Sequence, residues 1–185
     1  MLRYRNCSAN KTCRKWTVLA TVAMLGVTAG LMPAAAASPK SLGLSRDWDA
    51  LMVTEGDAKT CYIRSAPRKS EPASANRGDI FIFITHRSKG KTINEVSFIA
   101  GYPYKPGSTA SVNVGKLKLP LFTEGDGAWL EKPADETRLV NAMKQGSELV
   151  ITGTSQRGTK TTDYYSLAGF SAALKTINKS CGVKS

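Results

Sequence analysis

The sequence predicts a mainly β fold: an antiparallel, β-sandwich-like domain of about eight or nine strands with two short helices, the last of them C-terminal. Three observations carry that expectation. Short segments alternating apolar and polar residues recur between Trp48 and Leu167, the period-two signature of half-buried strands. Turn-forming glycines and prolines, such as Pro103, Pro106, Gly107, Gly115 and Gly125, punctuate them. Helical spacing occurs in only two stretches, one around Leu139 and Met143 and one from Phe170 to Cys181.

Taken in order, Cys61 and Ile63 oppose Tyr62 and Arg64 in a first well-marked strand. Residues 65–78 are rich in proline, serine and charge and read as a long exposed loop. Residues 79–87 give the strongest strand, with Ile80, Ile82 and Ile84 on one face and Phe81 and Phe83 on the other; apolar on both sides, it belongs at the centre of a sheet. Val96, Phe98 and Ala100 mark the next. Val112 and Val114, then Leu117, Leu119 and Leu121, alternate about Gly115 as a hairpin. A turn at 123–127 leads into Trp129. The period then lengthens: Leu139, Val140 and Met143 suit a short helix capped by Asp135 and ended by Gly146. Residues 148–154 and 161–167 form a late hairpin about Gln156, Arg157 and Gly158. Phe170, Leu174, Ile177 and Cys181 follow at steps of four, three and four, one face of a closing helix.

The amino end carries a different message. Arg3, Arg5, Lys11, Arg14 and Lys15 precede an apolar run at 16–32, and Ala34 to Ala37 supply small residues for cleavage. Residues 1–37 therefore read as a signal peptide cut after Ala37, the alternative being an uncleaved anchor; 38–47 read as a flexible leader and 48–185 as a single domain, with no membrane span after cleavage. Cys7 and Cys13 precede the apolar run and so do not fit a lipidated start. The chain has 185 residues, 42% hydrophobic and 22% charged, with a net charge of +12, ordinary values for one domain. Without the leader, which holds five bases and no acid, 21 bases face 14 acids, or +7. That surplus is too mild to call for a nucleic-acid partner.

Export gives the cysteines their meaning. Only Cys61 and Cys181 remain, in a compartment where a disulfide persists, and one pairing is open to them; two separate buried thiols are the alternative. A bond would tie the last helix to the strand carrying Cys61. Several chemistries are poorly served. His86 is the single histidine, which excludes a multi-histidine metal site, and as a strand-end residue in phase with Ile84 it reads as partly exposed. Gly153-Thr-Ser-Gln-Arg-Gly158 lacks the spacing of a nucleophile elbow. Carboxylate pairs at Asp47/Asp49, Glu55/Asp57, Glu124/Asp126 and Asp135/Glu136 sit in turns and caps, not across a cleft, and Glu124 to Gly127 lack a full calcium-loop ligand set. Arg77-Gly78-Asp79 spells a cell-adhesion tripeptide, but Asp79 is expected to enter the central strand. No cofactor and no catalytic residue is expected. Arg64, Arg68, Lys69, Arg77, Arg87, Lys89 and Lys91 form a candidate basic surface for an anionic envelope or host polymer, against a dispersed solvated face. Tyr102, Tyr104, Trp129, Tyr164 and Tyr165 form a candidate aromatic surface, against ordinary packing.

Taken together, residues 77–86 (RGDIFIFITH), 100–107 (AGYPYKPG), 121–129 (LFTEGDGAW), 140–146 (VNAMKQG) and 153–170 (GTSQRGTKTTDYYSLAGF) resemble the invasion-associated locus B family of exported proteins from Gram-negative bacteria. The likeness runs from Trp48 to Cys181; some relatives have a further cysteine pair near the first strand, whereas Asp47 to Val53 have none. The resemblance implies a periplasmic or outer-surface protein linked in some members to host-cell entry or survival. It implies no reaction and transfers only Cys61 and Cys181, as a structural pair. The expectation is a non-enzymatic envelope protein that contacts an unknown macromolecular envelope or host-surface component through loops. The alternative is an envelope-stress accessory protein that binds an anionic polymer or small molecule.

Overall fold

The computed structural model describes residues 38–90 and 92–184. The expected signal peptide at 1–37 and Lys91 of the basic set lie outside the described residues. The described chain runs β1 (Lys40–Ser45), β2 (Trp48–Glu55), β3 (Ala58–Ser65), β4 (Lys69–Glu71), β5 (Phe81–Arg87), β6 (Thr92–Ile99), β7 (Ala110–Val114), β8 (Leu117–Glu124), β9 (Gly127–Trp129), α1 (Pro133–Gln145), β10 (Glu148–Thr154), β11 (Lys160–Ser166) and α2 (Phe170–Cys181). The fold is mainly β, antiparallel throughout, with two helices, the second C-terminal.

All the strands join one sheet in the order β1-β2-β3-β5-β6-β9-β8-β7-β10-β11-β4. β8 carries the junction between its halves: residues 117–121 pair with β7 and residues 122–124 with β9. In a flat sheet β2 and β11, eight places apart in that order, would lie roughly 40 Å from each other at about 4.8 Å per strand. Instead the Trp48 indole N–H donates to the carbonyl of Ser166 over 3.0 Å. The sheet is rolled until its two ends meet.

Apart from β1 and β4, the strands turn buried residues to the inside of the roll, among them Cys61 and Ile63, Ile82 and Ile84, Val96 and Phe98, Val112 and Val114, and Leu149 and Ile151. The helices cover that face. α2 packs on β1, β2, β3 and β5, and α1 on β6, β7 and β8. The stripe Phe170, Leu174 and Ile177 is buried as its spacing predicts, with the Phe170 ring edge-on to Trp48 at 5.0 Å. Cys181 and Cys61 form a disulfide across 6.1 Å of Cα separation, fastening the last turn of α2 to β3.

The strand count exceeds the expected eight or nine because β1 and β4 lie in segments that read as polar. Residues 40–45, expected as flexible leader, pair with β2 through a register slip between Ser41 and Gly43, where Gly43 takes a φ of +124°. An edge strand beneath a helix needs only a little apolar contact, here Leu42 against the core. β4 interrupts the expected 65–78 loop and pairs with β11. The first helix begins at Pro133 and not at Asp135: proline suits the first helical position, while Asp135 and Glu136 lie in the first turn, where acids favour the helix dipole. Gly146 ends it as expected. Asp79 stops short of β5, which opens at Phe81.

Candidate functional site

Three loops from distant parts of the chain converge on one cleft of about 450 Å³: the stretch before β5 (75–78), the stretch after β6 (101–103) and the β10–β11 hairpin with the start of β11 (155–161). Two glycines let the first two touch. Gly78 N–H donates to Gly101 O at 2.8 Å, and a Cβ on Gly101, whose φ is +69°, would stand 2.5 Å from the carbonyl oxygen of Gly78. The hairpin is tied to the second loop by Gln156 N–H to Pro103 O at 2.8 Å. It is closed internally by Thr159 N–H, which donates to Ser155 Oγ at 3.1 Å.

One lining residue, Arg77, is held in a buried ion pair. Arg77 donates through both terminal nitrogens to the two carboxylate oxygens of Asp163 at 2.7 Å each, and through Nε to Ala100 O at 2.9 Å. Its guanidinium lies 4.8 Å over the Tyr102 ring. The side chains of Arg77 and Asp163 are 4% and 6% exposed. Burial works against the Arg77 charge, but the hydrogen bonds and the field of Asp163 outweigh it and raise its pKa. Tyr102 bonds Thr161 Oγ1 at 2.6 Å, and burial raises its pKa, so it acts as a neutral phenol. Arg157, on the lip, has no carboxylate partner among the described residues.

This corrects the expectation for Arg77, which is an internal strut of the cleft and not part of an exposed basic surface. The rest of that set is scattered and largely neutralised: Arg64 pairs with Asp49 at 3.3 Å, Arg68 with Asp47 at 2.6 Å, Lys69 with Glu71 at 2.6 Å, and Arg87 with Glu95. Lys89 is exposed in the β5–β6 turn. The aromatic set also divides. Tyr104 and Tyr165 are buried, Trp129 stacks on Phe122, and Tyr164 sits beside Lys69 and Glu71; only Tyr102 lines the cleft.

His86 lies elsewhere and is fully buried, not partly exposed. Its Nδ1 accepts the Asn94 backbone N–H at 3.1 Å, which leaves the proton on Nε2 to reach Asn178 Oδ1 of α2 at 2.7 Å. Burial lowers its pKa, the bond to Asn178 opposing. Both ring nitrogens are engaged by groups with no nucleophilic chemistry. Among the described residues no cluster of three or more metal-ligating side chains occurs and no helix is long and apolar enough to cross a membrane.

The fold and its cleft define a disulfide-fastened, rolled antiparallel domain that presents a recess built from loops. The family model described as Invasion associated locus B (IalB) protein matches residues 48–178, well over half of the chain, and the chain belongs to that family. No curated protein and no solved structure matches it.

Proposed function

We propose that this protein is an exported, non-enzymatic component of the bacterial envelope that supports host-cell invasion or intracellular survival by binding a macromolecular partner through the loops at its cleft. The supporting observation is the cleft itself. Three segments far apart in sequence are held together by a buried ion pair and backbone hydrogen bonds, so the recess is organised before anything enters it, the arrangement that lowers the entropic cost of binding. Export rests on the leader at 1–37 together with family membership.

The non-enzymatic reading draws on the only imidazole in the chain. His86 does not line the cleft and both its nitrogens are occupied, so it is not available as a general base there. The alternative, an accessory protein for an anionic polymer, draws less support, because five of the seven candidate cations face a carboxylate within ion-pair distance.

The test is a photo-crosslinking residue at Gln156, on the cleft lip, in protein expressed in intact cells, with a second probe at Glu55, at the β2–β3 turn. Capture of one discrete envelope or host-surface macromolecule from Gln156 alone is the expected outcome. Equal capture from both positions, or recovery of the protein from the cytoplasm with its leader intact, overturns the reading.

A further inference from the structure

Resting on the proposal of loop-mediated binding, we infer the chemical class of the ligand: the cleft takes a carboxylated sugar unit of a glycan, its carboxylate on Arg157 and its hydroxyls on Asn76, Gln156 and Thr159. The charge count comes first. Two arginines line the cleft, but Arg77 is cancelled by a bidentate carboxylate, which leaves Arg157 as the lining cation without such a partner among the described residues. One exposed guanidinium matches one carboxylate in a planar, two-point bond. A polyphosphate ligand needs several cations along its length, and the cleft does not offer them.

The remaining lining is neutral and two-sided. Asn76 and Gln156 present amide donors and acceptors together, and Thr159 a hydroxyl that serves as either. Sugar hydroxyls likewise donate and accept, so each can be satisfied at once. Tyr102 and Pro103 add apolar surface against which the carbon face of a pyranose packs. An extended peptide fits less well, because it needs free backbone donors to pair with. Here the amides of Gly78, Ser155, Gln156 and Thr159 already donate within the protein. A volume of about 450 Å³ falls in the range of small-ligand sites.

Acidic sugars occur both in bacterial envelope glycans and on host surfaces, and the test separates the two. Isotope-labelled protein recovered from the periplasm is titrated with N-acetylneuraminic acid as the host-type probe and 3-deoxy-octulosonic acid as the envelope-type probe. N-acetylglucosamine, inorganic phosphate and a peptide of one negative charge serve as comparisons. At least one acidic sugar should shift the amides of Asn76, Gln156 and Thr159, about tenfold more tightly than N-acetylglucosamine, and the tighter of the two identifies the source. Arg157→Ala should abolish that preference and Arg157→Lys should retain part of it. Both variants should keep the wild-type spectrum elsewhere, since Arg157 is an exposed turn residue. Equal or stronger shifts from phosphate or from the peptide, no cleft shift from either acidic sugar at millimolar concentration, or an unchanged preference in Arg157→Ala overturns the inference. Each of those results leaves the crosslinking experiment at Gln156 to decide whether the loops bind a partner at all.

Discussion

At the scale of single residues, burial and hydrogen-bond direction settle which groups titrate. His86 is neutral because protonating Nδ1 would turn the acceptor of the Asn94 N–H into a second donor facing it, in a site closed to water. A base whose folded pKa lies below its unfolded value binds fewer protons folded than unfolded. Its stability contribution is therefore intact above the unfolded value of about 6.5 and is lost as pH falls through that value toward the folded pKa. Urea denaturation of the wild type should show stability falling below about pH 6.5, and His86→Gln should remove that part of the slope. Glu136, whose pKa is raised by burial, acts in the opposite sense, so the effect is read as the difference between the two proteins. An identical pH profile for both would refute the assignment. Asp163 makes a second residue-scale case. Asp163→Asn leaves the Arg77 guanidinium buried without its counter-charge and should cost about 3–5 kcal/mol, measured by the same denaturation. The double variant Arg77→Met/Asp163→Leu should recover part of the loss. A cost below about 1 kcal/mol for the single change would mean that water reaches the pair.

At the scale of elements, period and turn chemistry carried most of the fold. The steps of four, three and four in α2 predicted its buried face and aimed Cys181 at the strand bearing Cys61, and the hairpins about Gly115 and Gly125 follow from turn-forming residues between alternating runs. What escaped were elements whose stability comes from their neighbours. β1 and β4 are short, polar edge strands held by pairing to β2 and β11, so their own residues carry little signal. α1 starts at a proline that local reading passed over in favour of an aspartate. The disulfide is the strongest single tie between elements. Closing a loop over a separation of 120 residues is worth roughly 5 kcal/mol in the chain-entropy description. The variant with both Cys61→Ser and Cys181→Ser should lose a large part of that amount. Its hydrogen exchange should accelerate first in α2, where the bond holds the final turn. Wild-type exchange throughout α2 in the variant would show that helix packing alone suffices.

At the scale of the whole molecule, the contacts that roll the sheet are the ones local patterns do not encode. Arg77 and Asp163 are 86 residues apart, and Trp48 and Ser166 are 118. Each lies in a segment that reads adequately alone: an arginine in a charged loop, a tryptophan opening a strand. One clue was available. Asp163 stands in phase with the inward residues Thr161 and Tyr165, and a carboxylate on the buried face of a strand requires a cation or several donors. The cleft is a product of closure, because its first and third loops meet only when β11 is brought back toward the start of β5. The roll also makes a mechanical prediction. β8 belongs to both halves of the sheet and the ends are clasped, so neither half has an independent boundary along which to open. Trp48→Phe keeps an aromatic ring against Phe170 and removes the indole N–H, leaving the buried Ser166 carbonyl short of a donor at a cost of about 1–3 kcal/mol. If the molecule unfolds as one unit, slow hydrogen exchange at Ile63 in β3 and at Val112 in β7 should accelerate by the same factor, although β7 lies six places from β2 in the strand order and is separated from the clasp by β10 and β11. Acceleration confined to β2 and β3 would show that the halves open separately and that the cleft persists without the clasp.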